Sequence, residues 1–227
     1  MTPDEQKRAA GEAAAQLIEP GMTVGLGAGS TADWFVKALA ARGVAVLGVA
    51  TSQATADLAR GLGIDLIDLD AAGPIDLTVD GADEVGPALA LIKGGGAALL
   101  REKLVWMASR RRIVVADAGK PVERLGKFPL PIEVVAFGHA TTAARIAGVL
   151  EALGIDAAPI LRRRDGAPLL TDSGNFIYDV ACGAISDPAA LAPALKAVTG
   201  VVEHGLFLNL AERALIGTDQ GVMTLYP

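Results

Sequence analysis

Between residues 22 and 116, short apolar runs alternate with longer segments of helical periodicity, and this rhythm restricts the chain to a largely parallel sheet with helices on both faces. A capping box at Thr2-Pro3-Asp4-Glu5 opens a helix that Glu19-Pro20-Gly21 ends. Strands are expected over 22–26, 44–50, 64–69, 75–79 and 113–116. Helices are expected after Thr31, with Trp34, Phe35, Ala38 and Leu39 on one face, and over 52–62 and 97–109. The rhythm changes at Pro129 and Pro131. Beyond them come a strand (132–136), a helix (141–153), two strands (157–161 and 175–180), a helix (188–198) and a strand (200–203). That βαββαβ order is ferredoxin-like. The expected α/β architecture is therefore a Rossmann-like, mostly parallel sheet domain (1–128 and 204–227) with a second, smaller ferredoxin-like α+β domain (129–203).

The first strand runs into Gly25-Leu26-Gly27-Ala28-Gly29-Ser30-Thr31 and then a helix. Closely approaching backbone N–H groups, the helix N-terminus and the two hydroxyls suit an anion. A dinucleotide fingerprint would place glycine at Ser30, and a nucleotide loop would carry Gly-Lys-Ser/Thr. A monophosphate fits better, and a tight turn capped by Ser30 is the plainer alternative.

Asp80-Gly81-Ala82-Asp83 follows the apolar run 75–79. Two carboxylates at the carboxyl end of a strand either share a cleft and a proton, or form a solvated turn. Lys93-Gly94-Gly95-Gly96 also follows a strand. Three glycines are explained by close approach to a ligand, with Lys93 as a local cation, or by a flexible loop. Glu102 lies in the next helix, where Leu100, Leu104 and Met107 form the apolar stripe, so periodicity alone makes it a surface residue.

Composition narrows the partners. The net charge is −6, which gives no footprint for nucleic acid or an anionic membrane. No uninterrupted apolar stretch reaches bilayer length. The single cysteine, Cys182, cannot form an internal disulfide, and the charged N-terminus lacks an apolar signal region, so the cytoplasm is expected. His139 and His204 are far apart, and no His/Asp/Glu cluster has metal-ligand spacing, so no metal is expected. The apolar composition suggests buried subunit surface.

Taken together, the motifs resemble one family, the A type of ribose-5-phosphate isomerase. The matching segments are Gly25 to Ala32, Val79-Asp80-Gly81-Ala82-Asp83-Glu84, Ile92 to Leu99, Arg101-Glu102-Lys103, Leu125 to Val134 and Thr171-Asp172-Ser173-Gly174-Asn175. They occur in the family's order over nearly the whole chain. The resemblance implies interconversion of ribose 5-phosphate and ribulose 5-phosphate without metal or organic cofactor, in a homodimer or homotetramer. It implies Glu102 as general base, with Asp80, Asp83 and Lys93 also catalytic. It implies a substrate site lined by Ala28, Gly29, Ser30, Thr31, Asp80, Gly81, Ala82, Asp83, Lys93, Gly94, Gly95, Gly96 and Lys120.

Two positions depart from the family pattern. Ala28 stands where threonine is usual, removing one hydroxyl, and Gly119 replaces a larger polar residue beside Lys120. Three other readings are weighed: a non-catalytic sugar-phosphate sensor, an amino-sugar phosphate deaminase and a CoA transferase. The first would usually carry a DNA-binding module, the second a histidine-bearing site, the third a different glutamate motif. Lys93 with its three glycines and Glu102 disfavours the two enzymes.

Overall fold

The computed structural model describes residues 1–227, which form two units. The larger comprises 1–82, 101–121 and 209–227, and the smaller comprises 83–100 and 122–208. Residues 83–100, 122–128 and 204–208, expected in the Rossmann-like part, thus pack with the smaller unit. The chain changes unit just after Pro121, ahead of the prolines at 129 and 131.

In the larger unit, seven strands lie in the order Gly221–Leu225, Arg213–Thr218, Ser109–Asp117, Ile75–Gly81, Thr23–Leu26, Leu47–Ala50, Asp65–Leu66. All neighbours are parallel except the antiparallel edge pair formed by Gly221–Leu225. Helix α1 (Pro3–Ala15) starts at Thr2, whose hydroxyl accepts from Glu5 N–H while Glu5 reaches back to Thr2 N–H. It packs against α2 (Ser30–Ala41) and the strands Ser109–Asp117 and Arg213–Thr218. Ala10, Ala14, Phe35, Val36 and Leu39 bury this face against Val24, Leu77, Val79, Ile113 and Val115. Gly11 allows the close helix contact, since a Cβ there would lie 2.6 Å from Phe35 N. Helices α3 (Gln53–Gly61) and α4 (Leu99–Met107) follow later strands, and Val49, Ile75 and Val105 form a second cluster.

In the smaller unit, four antiparallel strands lie in the order Val201–His204, Leu130–Val134, Phe176–Val180, Pro159–Leu161. Counted along the chain this is 4-1-3-2, the ferredoxin-like order. Helices α5 (His139–Ala152) and α6 (Pro188–Lys196) supply Ile146, Leu150, Leu191 and Leu195 to a core with Leu130, Ile132, Val134 and Val180. The first strand begins at Leu130, so Pro131 lies inside it, near its start, where a missing N–H is tolerated. A hairpin of Arg163–Arg164 with Ala167–Pro168 lay outside the expected strands. A three-stranded sheet joins Leu206–Phe207, Leu91–Ile92 and Glu84–Val85.

Candidate active site

The sheet order sets Thr23–Leu26 beside Ile75–Gly81, and from their carboxyl ends the chain goes to opposite sides of the sheet, to Leu47–Ala50 after the first and to Ser109–Asp117 after the second. Open α/β sheets bind ligands at such a switch point. The glycine loop and the acidic turn both leave the sheet there. Their approach is too close for a side chain at position 27, where a Cβ would lie 2.3 Å from Asp80 Oδ1 and 2.5 Å from Asp80 Cα.

Asp80 organises this junction. Its Oδ1 accepts from Ala28 N–H at 3.1 Å and from Gly81 N–H at 2.8 Å, and its Oδ2 accepts from the Trp106 indole N–H at 3.3 Å. On the other side of the Gly27–Ala28 peptide, the Thr55 hydroxyl donates to Gly27 O at 3.0 Å. Asp80 has no exposed surface. Its carboxylate holds the loop's backbone.

Beyond this brace, Gly29 caps α2 with φ 95°, a left-handed value that favours glycine, and offers no side-chain acceptor to the first turn. The N-terminal amides of α2 thus remain available to an anion, with the helix dipole favouring negative charge. Ser30 is exposed and Thr31 buried. Lys7 Nζ donates to Ser30 Oγ at 3.0 Å, adding a cation that the sequence reading did not single out. Its signal was its place in α1, whose packing on α2 brings the two helices' first turns together. On the adjacent strand Ser109–Asp117, the Lys120 turn leaves the same carboxyl edge of the sheet. Asp117 accepts from Gly119 N–H at 2.9 Å, and Gln6 accepts from Ala118 N–H at 3.2 Å. The turn carrying Lys120 is therefore tied at two consecutive amides, Ala118 and Gly119.

Glu102 is where the structure departs most from periodicity. It is 4% exposed, whereas Leu104 and Met107, assigned to the apolar stripe, are 51% and 63% exposed. The buried face of α4 is Leu99, Glu102, Val105 and Trp106. Trp106 lies one turn after Glu102 on that face and donates to Asp80. The base candidate and the loop brace thus share one helix surface.

The larger unit gathers Ala28 to Thr31, Asp80 to Ala82, Glu102 and Lys120. The smaller holds Asp83, Lys93 and Gly94 to Gly96. The backbone joins the sets at 82–83 and at 100–101. Lys93 follows the strand Leu91–Ile92, and its N–H donates to Gly205 O at 2.9 Å. Its side chain is 2% exposed, with Nζ 5.5 Å from the Phe207 ring centre. Asp83 Oδ2 accepts from Gly95 N–H at 2.8 Å. The neighbouring Glu84 is turned away from this chemistry: it is buried and accepts from Gly126 N–H and Phe128 N–H at 2.8 and 2.5 Å.

The Thr171 to Asn175 segment also resolves into geometry. Glu133 is buried and accepts from the Thr171 hydroxyl at 2.9 Å and from Asn175 Nδ2 at 3.0 Å. Burial raises its pKa, against the opposing effect of these donors and of Leu100 N–H.

Comparison with known proteins identifies the family. A family model described as ribose 5-phosphate isomerase A (phosphoriboisomerase A) matches residues 47–221. The chain is 64% identical to ribose-5-phosphate isomerase A of Caulobacter sp. (strain K31), over 100% of both chains. It is 52% identical to the protein of that name from Parvibaculum lavamentivorans, over 97% of each. Among solved structures, ribose 5-phosphate isomerase from Plasmodium falciparum has a TM-score of 0.92 at 34% identity, covering 99% of both chains. A D-ribose-5-phosphate isomerase in complex with phospho-erythronic acid has a TM-score of 0.91 at 38% identity, covering 100% of both. A braced glycine loop, a buried helix glutamate and a shared frame across full-length relatives converge: the chain belongs to the ribose 5-phosphate isomerase A family and is an isomerase enzyme.

Proposed function

We propose that Glu102 is the general base of this isomerase, which interconverts D-ribose 5-phosphate and D-ribulose 5-phosphate through an enediolate in the non-oxidative pentose phosphate pathway. Glu102 removes the C2 proton of the open-chain aldose and returns it to C1. Lys93 stabilises the developing oxyanion, a role worth a few kcal/mol per donor. Asp83 moves protons between the sugar oxygens, while Asp80 acts through the glycine loop. The N-terminus of α2, with Ser30, Thr31 and Lys7, holds the phosphate. Lys120 adds a cation, and Gly81, Ala82, Gly94, Gly95 and Gly96 line the sugar. Anchoring the remote phosphate positions the reacting carbons.

The observation that carries this reading is the burial of Glu102 on the α4 face that also presents Trp106 to Asp80. The ligand of the 38% identical relative supports it. An aldonic acid phosphate sets a carboxylate opposite a phosphate, the charge layout of an enediolate phosphate. The test is Glu102→Gln, assayed on ribose 5-phosphate with EDTA present. Turnover should fall by about 10²–10⁴-fold, with KM and circular dichroism unchanged. Near wild-type turnover would remove Glu102 from the base role.

A cytoplasmic location and a homodimeric or homotetrameric state complete the proposal. Burial pushes the Cys182 thiol up to about 11, which suits a structural residue, and no helix is long and apolar enough to cross a membrane. Phe137, 95% exposed, supports a subunit contact, which sedimentation measures directly.

A further inference from the structure

Arg162 immediately follows the strand Pro159–Leu161, and its backbone N–H donates to Ile177 O at 2.8 Å. Its Nε donates to Asp179 Oδ2 at 2.8 Å, and its Nη2 donates to Asp179 Oδ1. Its Nη1 donates to Gly94 O at 2.8 Å and to Gly95 O at 3.1 Å. The guanidinium is thus engaged on two fronts, with a carboxylate behind it and two successive carbonyls of the triple-glycine loop in front. It is largely buried and neutralised by Asp179, so it is not itself a phosphate clamp.

The peptide geometry gives this contact a consequence. Every peptide in the chain is trans, so each N–H points opposite its own carbonyl. With Gly94 O on Arg162, Gly95 N–H faces the other way, and there it meets Asp83 Oδ2 at 2.8 Å. With Gly95 O also on Arg162, Gly96 N–H leaves toward the Asp83 side as well, at an exposed glycine. A Cβ at Gly95 would lie 2.6 Å from Asp83 Oδ1, so a side chain there would displace the Asp83 carboxylate.

We propose that the Arg162–Asp179 pair is a positioning device for the reaction. It fixes two successive peptides of the triple-glycine loop with their carbonyls turned away, and so presents the Gly96 N–H as a preset donor to the anionic sugar. The proposal rests on the reading that this loop lines the substrate. Both partners lie more than 60 residues from the loop in sequence, and neither falls in a motif that carried the family resemblance. The fork needs a guanidinium. A lysine carries the same charge but cannot span a carboxylate and two carbonyls in one plane.

The test uses the full-length enzyme and three variants: Arg162→Lys, Asp179→Asn, and the double replacement Arg162→Met with Asp179→Leu. The double variant removes the ion pair without leaving a buried charge unpaired, so it separates loop orientation from stability. The expected result is a kcat about 10–100-fold below wild type in Arg162→Lys and in the double variant, with KM changed less than threefold. The double variant should melt within a few degrees of wild type. Recovery of kcat together with stability in the double variant would overturn the proposal, as would an unimpaired kcat in Arg162→Lys. Glu102→Gln run in parallel keeps the two readings apart. A dead Glu102→Gln beside an active Arg162→Lys refutes the loop device and leaves the base assignment standing. An active Glu102→Gln beside an impaired Arg162→Lys does the reverse.

Discussion

Replacing Glu84 with glutamine changes one oxygen to an NH₂ group and leaves the shape intact. The two carboxylate oxygens have separate duties, Oε2 for Gly126 N–H at 2.8 Å and Oε1 for Phe128 N–H at 2.5 Å, at a residue 3% exposed. An amide can serve only one of them. The other backbone donor then faces the new NH₂, donor against donor. One charge-assisted hydrogen bond is lost, about 1.5–3 kcal/mol, and one buried N–H is left unsatisfied, about 1–3 kcal/mol. Together the change should destabilise the fold by about 2.5–6 kcal/mol. For a chain of this size that lowers the melting temperature by about 5–24 °C. The assay is thermal denaturation followed by circular dichroism, with exposed Glu123→Gln as the control. The control should stay within about 0.5 kcal/mol. A Glu84→Gln melting temperature within 2 °C of wild type, on the order of the control's scatter, would refute the argument that both oxygens are committed.

Two further outcomes follow from the same structure. Burial raises the Glu133 pKa from its ordinary 4.5, so the folded state binds a proton that the unfolded chain releases. Stability tied to this group is therefore present below 4.5 and declines as pH rises through the higher folded value; Glu133→Gln should flatten that decline, and a melting-temperature difference constant from acid to neutral pH would contradict it. Gly27→Ala sets a Cβ 2.5 Å from Asp80 Cα, so the loop or the strand must shift. We expect about 1–3 kcal/mol of destabilisation and at least a ~10²-fold loss of kcat/KM, measured by urea unfolding and ribose 5-phosphate turnover.

The parallel sheet was legible because short apolar runs ending in glycine leave few alternatives. The glycine loop was legible for the same reason, since its residues are contiguous. Glu102 was not. Leu104 and Met107 are exposed while Trp106 is buried, so counting leucines selected the wrong face of α4. A buried polar residue defeats a pattern that equates burial with apolarity. Asp80 was recognised as important, but its job depends on which donors surround it, and Ala28, Gly81 and Trp106 meet it only in the folded chain. Lys7 and Arg162 belong to the same class. Each reaches a loop distant in sequence through a side chain, and nothing in its immediate neighbours announces this. Residues 83–100 were assigned to the larger part because they continue its strand–helix rhythm. Their short strands instead form a small sheet in which Leu91–Ile92 pairs with both Glu84–Val85 and Leu206–Phe207.

The division of the larger unit among three stretches of chain has a consequence for its biogenesis. The strand Arg213–Thr218 lies beside Ser109–Asp117 in the sheet, and α1 packs against it. The terminal amine of Met1 and the Gln6 side chain both donate to Asp219, at 2.9 and 2.8 Å. A nascent chain therefore leaves part of the apolar face of its first helix uncovered until Arg213–Thr218 has been made, while α2 and Ser109–Asp117 can cover the rest earlier. The smaller unit, complete by residue 208, is available to fold earlier. The first helix waits for Arg213–Thr218, and the interval between them is when the chain is most open to aggregation and to chaperones.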